Sequence, residues 1–218
     1  MSQLVMPLPV TTPLVPPVAL DLACQAEAQA ALHNSLTQEG FAGLRVYGPA
    51  GVGKSFLLKN IAEAHNGIFT DNPAQAELFT APVYALDNIE NMDLPAQEAA
   101  FHLFNHLQKE GGKLFVSHTQ PLTAQANLLP DLRSRLLLLH AVELPYPTDD
   151  DLRQLLRQWA ARRQLSLSDQ VIQYLVLHHT HDPAALERFL DALDALSLQE
   201  KQGITIPLLK KIQEDQHA

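Results

Sequence analysis

The sequence predicts an α/β domain, with a parallel sheet flanked by helices, followed by a small all-α domain. Short apolar segments alternate with amphipathic segments up to residue 147, which is the pattern of strands joined by helical crossovers. After that point the strand-like segments stop, and four helix-initiation signals follow one another. Residues 1–20 contain five prolines and predict an extended tail. We therefore divide the chain into residues 1–20, 21–147 and 148–218.

The elements of the α/β domain are predicted from short apolar runs and from helical spacing of apolar residues. The helix at 95–112 has a stop signal in Gly111, because glycine readily adopts the left-handed conformation that ends helices. Four strands are predicted, at 43–48, 81–88, 113–118 and 139–147. The other predicted helices lie at 20–36, 54–65 and, after a loop, within 128–136.

Capping residues define the helices of the all-α domain. Thr148 and Asp151 stand three residues apart, as in a capping box, and predict a helix over 149–164. Ser168 is placed to cap a helix over 169–179. Asp182 followed by Pro183 begins a helix over 183–198, and Thr205 precedes a final one.

Composition narrows the functional classes. The chain of 218 residues has 24 acidic against 15 basic residues, a formal charge of -9, which disfavours direct sequence-specific binding to DNA. Its single cysteine, Cys24, cannot form a disulfide within the chain. No apolar run approaches the roughly 20 residues of a membrane span. We therefore expect a cytoplasmic protein with no membrane partner.

The segment GPAGVGKS matches the phosphate-binding pattern G-x-x-x-x-G-K-[ST] between a predicted strand and a predicted helix. Its glycines allow backbone N–H groups to face phosphates, and the helix N-terminus adds partial positive charge. We expect ADP or ATP as the cofactor, with the lysine on its phosphates and the serine on Mg²⁺. The candidate cofactor-binding residues of the loop are Gly48, Pro49, Ala50, Gly51, Val52, Gly53, Lys54 and Ser55.

The strand VYALD ends in the acid that such a loop requires. Asp87 is predicted to complete the nucleotide site and, with Ser55, to hold Mg²⁺. Many related ATPases have a second acid directly after it, which orients or deprotonates the attacking water. Asn88 occupies that position here, and an amide cannot act as a base. The sequence therefore predicts nucleotide binding with weak or no intrinsic hydrolysis.

Together, the phosphate loop, the sequence D-N-I-E at 87–90, the sequence LPDLRSRL at 129–136 and the ending ITIPLL resemble the Hda family. Its members are short relatives of the replication initiator DnaA in the AAA+ superfamily. The resemblance implies an AAA+ domain followed by a helical lid. It also implies that Arg135 is an arginine finger, acting in trans on the nucleotide of a neighbouring subunit. Arg133 stays open as an alternative.

Two departures from the family pattern concern nucleotide sensing. Ala184 takes the position of a lid arginine that contacts the nucleotide in DnaA-type proteins, and Arg188 follows one turn later. Ser117, His118 and Thr119 stand where many relatives have an aspartate sensor. Both departures favour a bound nucleotide, such as resident ADP, that maintains a conformation. Whether binding survives Ala184 stays open.

The hexapeptide QLVMPL in the tail resembles the motif with which the same family docks on the β sliding clamp. A proline-containing extended peptide loses little entropy on binding. The alternative is that its apolar residues fold onto the domain. The candidate partner-binding residues are Gln3, Leu4, Met6 and Leu8.

The resulting functional hypothesis is a negative regulator of chromosomal replication initiation. By resemblance, the protein docks on the clamp and stimulates hydrolysis of the ATP bound to DnaA, so that DnaA is inactivated. One alternative is a self-sufficient AAA+ ATPase such as a helicase loader, and another is a small-molecule kinase. The sequence leaves open whether the chain forms a homodimer.

Overall fold

The computed structural model describes residues 22, 25–76, 79–125, 127–200 and 203–210. The predicted tail, including Gln3, Leu4, Met6 and Leu8, lies outside these residues. The strands are β1 (Ala42–Tyr47), β2 (Ile68–Thr70), β3 (Val83–Leu86), β4 (Lys113–His118) and β5 (His140–Glu143). The helices of the α/β domain are α1 (Ala26–Thr37), α2 (Lys54–Ala64), α3 (Leu94–Glu110) and α4 (Pro130–Leu136). The lid helices are α5 (Asp149–Arg163), α6 (Asp169–His178) and α7 (Pro183–Glu200).

In the described part of the chain the five strands form one parallel sheet with the order β2-β3-β4-β1-β5. Strand β4 lies between β1 and β3, and Tyr47 of β1 is in register with His118 of β4. Because parallel strands end at the same edge, the segments following β1, β3 and β4 meet there. The sheet order thus brings the phosphate loop, Asp87 and Ser117 to one edge.

Both faces of the sheet are covered, which explains why the central strands are apolar throughout. Along β3, Tyr84 and Leu86 face the side of α3 and α4, whereas Val83 and Ala85 face the side of α1 and α2. In β4, Phe115 joins the second group. The alternation follows the two-residue period of side chains along a strand.

The predicted elements of the α/β domain need three corrections. Strand β2, from Ile68 to Thr70, was not predicted, because three residues are too short to show a periodic pattern. The first helix was predicted from residue 20 but begins at Ala26. The helical spacing of Phe56, Leu57, Ile61 and Ala64 predicts a single apolar face for α2, but Ala64 is exposed and Phe56 packs on the lid core instead.

The lid helices share one apolar core, in which Leu155, Leu156, Leu190 and Leu193 are fully buried. The predicted caps are confirmed: Thr148 and Asp151 form a capping box, and the Ser168 side chain accepts a hydrogen bond at the start of α6. Leu22 and Phe56 also contact this core, so the lid packs against the α/β domain. Within the described residues, no helix combines the length and apolar character that crossing a bilayer requires.

Candidate nucleotide site

The phosphate loop connects β1 to α2, and its backbone is left-handed at two glycines. Gly51 has a φ of 82° and Gly53 has a φ of 97°, which residues with a side chain rarely adopt. Gly48 lies so close to β5's end that a Cβ would be 2.2 Å from the Leu144 carbonyl oxygen. No side chain caps the N-terminus of α2 at Gly53, so its first N–H groups are available for an anion. This geometry fits a bound phosphate.

Lys54, at the first position of α2, is buried and lies across the loop. Its Nζ donates hydrogen bonds to the carbonyl oxygens of Gly48, at 2.8 Å, and Pro49, at 2.7 Å. Burial lowers the pKa of the Lys54 ammonium, while the negative charges of Glu90 and Asp87 oppose this shift. The cation is therefore held among the loop carbonyls and beside two carboxylates.

Asp87 is buried at the end of β3 with both carboxylate oxygens oriented by neighbours. The Ser117 hydroxyl donates to Oδ1, and the Asn88 side-chain amide donates to Oδ2 at 2.9 Å. Ser117 Oγ also accepts the backbone N–H of Asn88, at 2.9 Å. Ser55 is exposed in the first turn of α2. A carboxylate and a hydroxyl are oxygen ligands that suit Mg²⁺, so this pair fits the metal expected from the sequence.

Asn88 has the left-handed conformation, with φ 49° and ψ 52°, which asparagine tolerates better than most residues. Its amide donates to Asp87, so here it positions the neighbouring carboxylate. The structure thus gives Asn88 a structural role in place of the base that a second acid would supply.

The three polar residues that follow the apolar part of β4 all make hydrogen bonds. Besides Ser117, the Thr119 backbone N–H donates to Glu90 Oε1 at 2.8 Å, and its hydroxyl donates to the same oxygen. His118 is fully buried, with Nδ1 2.6 Å from the Gln120 carbonyl oxygen, so Nδ1 carries the hydrogen. Burial lowers the pKa of His118, and the nearby Arg45 lowers it further, whereas its bond to Gln120 and the charge of Glu90 act against this.

Glu90 is a site residue to which the sequence reasoning assigned no role. It lies three residues after Asp87 in the D-N-I-E segment, and that spacing was the available signal. Its carboxylate ties the turn after β3 to the end of β4 through Thr119 and adds negative charge near Lys54.

The two candidate arginines of α4 have different surroundings. The Arg133 guanidinium donates to the carbonyl oxygens of Gln125 and Leu128, the latter at 3.3 Å. Arg135 is half-buried, with its guanidinium carbon 6.0 Å from the centre of the Phe104 ring. After it come Leu137 and Leu138, which are exposed. Arg133 therefore holds the preceding loop through hydrogen bonds. Arg135, in contrast, is followed in the chain by exposed apolar residues.

The lid presents a carboxylate to the phosphate loop. Asp182 precedes α7, and a Cβ built on Gly51 would lie 2.1 Å from its Oδ1. Ala184, which takes the place of the family's arginine, is half-buried without a polar side chain, and Arg188 is exposed one turn later. The sequence reasoning used Asp182 only to begin a helix and missed this contact.

Solved structures show the same fold. Domain III of the Thermotoga maritima replication initiation protein DnaA superposes with a TM-score of 0.78 at 15% identity, covering 90% of this chain and 94% of that one. AMPPCP-bound DnaA from Aquifex aeolicus gives a TM-score of 0.67 at 18% identity, over 79% of this chain and 62% of that one. These likenesses show that the chain has the AAA+ fold, with the phosphate loop at the end of β1.

A sequence comparison adds a match over the lid. Residues 149–212 match the family model of the Hda lid domain. The last third of the chain is therefore similar to the Hda lid domain, and the chain as a whole has the fold of DnaA domain III, in agreement with the resemblance noted in the sequence.

Two relatives in sequence differ in how much of their own length this chain covers. An uncharacterised protein of Haemophilus influenzae is 29% identical over 186 residues, which cover 77% of this chain and 79% of the relative. The chromosomal replication initiator protein DnaA of Campylobacter jejuni subsp. doylei is 23% identical, over 88% of this chain and 48% of the relative. The chain thus spans about half the length of that DnaA.

Proposed function

We propose that this protein is a nucleotide-bound adaptor that stimulates hydrolysis of the ATP on DnaA and thereby inhibits replication initiation. Arg135 acts in trans by placing its guanidinium beside the phosphates of the DnaA-bound nucleotide. A guanidinium there stabilises the negative charge of the phosphoryl-transfer transition state. The protein works in the cytoplasm and does not read DNA sequence itself.

The observation that carries this proposal is the contrast between the two arginines of α4. The Arg133 guanidinium is bonded to backbone carbonyls of its own domain, so releasing it would leave those acceptors without a donor. Within the described residues, the guanidinium of Arg135 lies over the Phe104 ring at the edge of the apolar core, and exposed Leu137 and Leu138 follow it. Exposed apolar residues beside a cation are the composition expected of a subunit contact.

The protein's own nucleotide, ADP or ATP with Mg²⁺, would be held by the phosphate loop. Backbone N–H groups and Lys54 would bind the phosphates, and Ser55 and Asp87 would hold the metal directly or through water. Asn88 supplies no base. In this proposal the bound nucleotide maintains the conformation of the α/β domain and the lid. The protein itself hydrolyses ATP only slowly.

Docking on the β sliding clamp is assigned to the tail segment Gln3–Leu8. Leu4, Met6 and Leu8 are the apolar anchors, and Gln3 offers both hydrogen-bond donors and an acceptor at the rim of a pocket. Support comes from the sequence of the hexapeptide and from the Hda-type lid in the same chain.

The test of Arg135 is hydrolysis of ATP preloaded on DnaA, measured with clamp-loaded DNA present. We expect stimulation by the wild-type chain and its loss, at least about a hundredfold, in Arg135→Ala. Arg135→Lys keeps the charge but not the planar fork, and should restore little. Arg157→Ala, an exposed lid arginine paired with Asp169, is the matched control and should stimulate normally. Full stimulation by Arg135→Ala would reject the proposed mechanism.

Clamp docking has its own test in the binding of the full chain to purified clamp. Micromolar or tighter binding, lost in the variant Gln3→Ala with Leu4→Ala, is expected. Thr11→Ala with Thr12→Ala changes the same tail outside the hexapeptide and should bind as the wild type does. Absence of binding by the intact chain would reject the docking role while leaving the role of Arg135 testable with free DnaA.

A self-sufficient ATPase is the second candidate function. The observation in its favour is that Lys54, Ser55 and Asp87 are all present and placed at one edge of the sheet. Turnover by the isolated chain distinguishes the two functions.

A further inference from the structure

A polar cavity of about 310 Å³ is lined by the turns that follow β3 and β4. Ile89 and Glu90 line it from the first turn, and Gln120 and Gln125 line it from the second. Its volume is at the lower end of the range for small-molecule sites. None of the residues 48–55, all of which the structure describes, lines this cavity, so it is distinct from the phosphate loop.

Hydrogen bonds of a buried glutamine hold the walls of the cavity together. The side-chain amide of Gln97, on α3, donates to the Asn127 carbonyl oxygen at 3.3 Å. Its Oε1 accepts the backbone N–H of Leu129 at 2.7 Å. Arg133, which does not line the cavity, holds the same segment by donating to the Leu128 carbonyl oxygen at 3.3 Å. The shape of the cavity is therefore fixed by the fold.

Two side chains of the cavity each have one oxygen to which the protein supplies no donor. Thr119 donates to Glu90 Oε1 through both its backbone N–H and its hydroxyl, whereas Glu90 Oε2 has no hydrogen-bond partner among the described residues. The Gln125 amide nitrogen donates to the Gln120 carbonyl oxygen at 3.0 Å, and Gln125 Oε1 likewise has no partner there. Both oxygens are buried, where an unpaired acceptor costs free energy.

The cavity therefore lacks N–H donors, and the carboxylate of Glu90 favours a donor that carries a positive charge. Among the described residues, Glu90 forms no ion pair with lysine or arginine. Lys54 is near enough to feel its charge but bonds to carbonyl oxygens of the phosphate loop. Ile89, Ala124 and Leu128 add apolar surface, and the exposure of Ala124 opens the cavity to the protein surface.

We propose that this cavity binds an organic cation with at least two N–H donors on a short aliphatic stem, which is an alkylammonium or alkylguanidinium group. One N–H donates to Glu90 Oε2 and another to Gln125 Oε1, while the stem packs on Ile89 and Leu128. A free small molecule and a lysine or arginine side chain of a partner protein both have this chemistry. The proposal is independent of the proposed function, because it uses neither the nucleotide nor Arg135.

The experiment titrates the full chain with butylguanidinium at constant ionic strength and follows its side-chain amide groups by NMR. We expect saturation with a dissociation constant of about 1 mM or tighter, and the largest shifts at the amides of Gln125 and Gln97. The neutral probe is 1-butanol, which has the same stem without an N–H group and should give no saturable shift. No binding of butylguanidinium, or equal binding of both probes, would overturn the proposal and mean that water fills the cavity.

Three variants locate the binding. Glu90→Gln removes the charge and places an amide donor at the unpaired position, while its oxygen can still accept from Thr119. It should weaken binding of butylguanidinium at least about tenfold, and Gln125→Ala should weaken it about threefold. The matched control Glu110→Gln removes an exposed charge about 20 Å along α3 from Gln97 and should bind as the wild type does. Unchanged affinity in Glu90→Gln and Gln125→Ala would overturn the proposal, with thermal unfolding confirming that each variant is folded.

Two further probes distinguish the sources of the cation. Agmatine is a free guanidinium compound, whereas the capped tripeptide acetyl-Gly-Arg-Gly-amide carries the same group on a peptide backbone. Tighter binding of agmatine would support the proposal with a free small molecule as ligand. Tighter binding of the tripeptide would support it with an arginine side chain of a partner as ligand. Failure of both probes to compete with butylguanidinium would place that compound outside the cavity and overturn the proposal.

Discussion

The nucleotide-facing edge of the sheet and the lid surface opposite it differ in the charge they offer to phosphates. On the sheet side, the loop glycines, Lys54 and an oriented Asp87 provide the groups for phosphate and metal binding. On the lid side, the Asp182 carboxylate lies against the loop, and Ala184 stands at the position that the family resemblance assigns to an arginine. In the proposed site, the phosphate-binding groups lie on the sheet side, and the lid places the Asp182 carboxylate against the loop.

The proposed site places the groups for binding and the groups for hydrolysis of a nucleotide in separate parts of one fold. Phosphate binding uses backbone geometry and one lysine, which are local to the loop. Hydrolysis also needs a positioned base and a cation on the leaving or transferring group. We propose that Asn88 and Ala184 remove these two features, whereas the phosphate loop retains its glycines and lysine. The same fold can then keep its nucleotide as a structural component.

The largest expected effect is on nucleotide affinity, and it comes from removing the lysine of the phosphate loop. Lys54→Ala should weaken nucleotide binding at least about a hundredfold, because it removes the cation that reaches the phosphates. The measurement is equilibrium titration with ADP. Lys59→Ala, on the same helix but exposed and paired with Glu63, should bind as the wild type does. Equal affinity of Lys54→Ala and wild type would contradict the assignment of the loop.

A second, smaller effect concerns stability, and it distinguishes the two arginines of α4. Arg133→Ala should lower the free energy of unfolding by about 2 kcal/mol, since two backbone carbonyls lose a charged donor. Arg135→Ala should lower it by only about 0.5 kcal/mol, because it loses a single contact with the Phe104 ring. Urea unfolding of both variants measures this. The reverse order would mean that Arg135 is the structural residue.

The smallest effect is on the pH dependence of stability. It involves one histidine in the α/β domain and one in the lid. Burial lowers the pKa of His118 in the α/β domain and of His179 in the lid. Below their ordinary pKa, about 6.5, the unfolded chain binds protons at these imidazoles that the folded chain does not, so they reduce stability as the pH falls.

The variants His118→Asn and His179→Asn should each lose less stability than the wild type between pH 7.5 and 5.5. Urea unfolding at the two pH values gives the difference, and comparison with the wild type removes the contribution of the acidic surface. A variant that loses as much stability as the wild type on acidification would show that its imidazole is not responsible.

Much of the fold could be predicted, because it is encoded locally. The glycines and lysine of residues 48–55 have a fixed relation to the preceding strand and following helix, and the caps Thr148 and Ser168 define helix starts by themselves. Strand β2 has too few residues to show a period. The buried face of α2 was mistaken because that helix contacts both the sheet and the lid, so two faces are apolar.

Contacts between distant segments could not be predicted in the same way. Asp182 and Gly51 are far apart in the chain, and each has a sufficient local explanation, as helix cap and loop glycine. The choice between Arg133 and Arg135 also depends on tertiary structure, since their immediate sequences are alike and only the position of Gln125 and Leu128 distinguishes them.

The measurement that tests the central claim most directly is nucleotide binding and phosphate release by the same preparation of the isolated chain. The account predicts stoichiometric binding of ADP and ATP turnover below about 10⁻³ s⁻¹, as in P-loop proteins that lack an activating partner. ATP turnover of about 1 s⁻¹ in the absence of DnaA would contradict this account. That result would identify a self-sufficient AAA+ ATPase, whose catalytic base lies outside the position of Asn88.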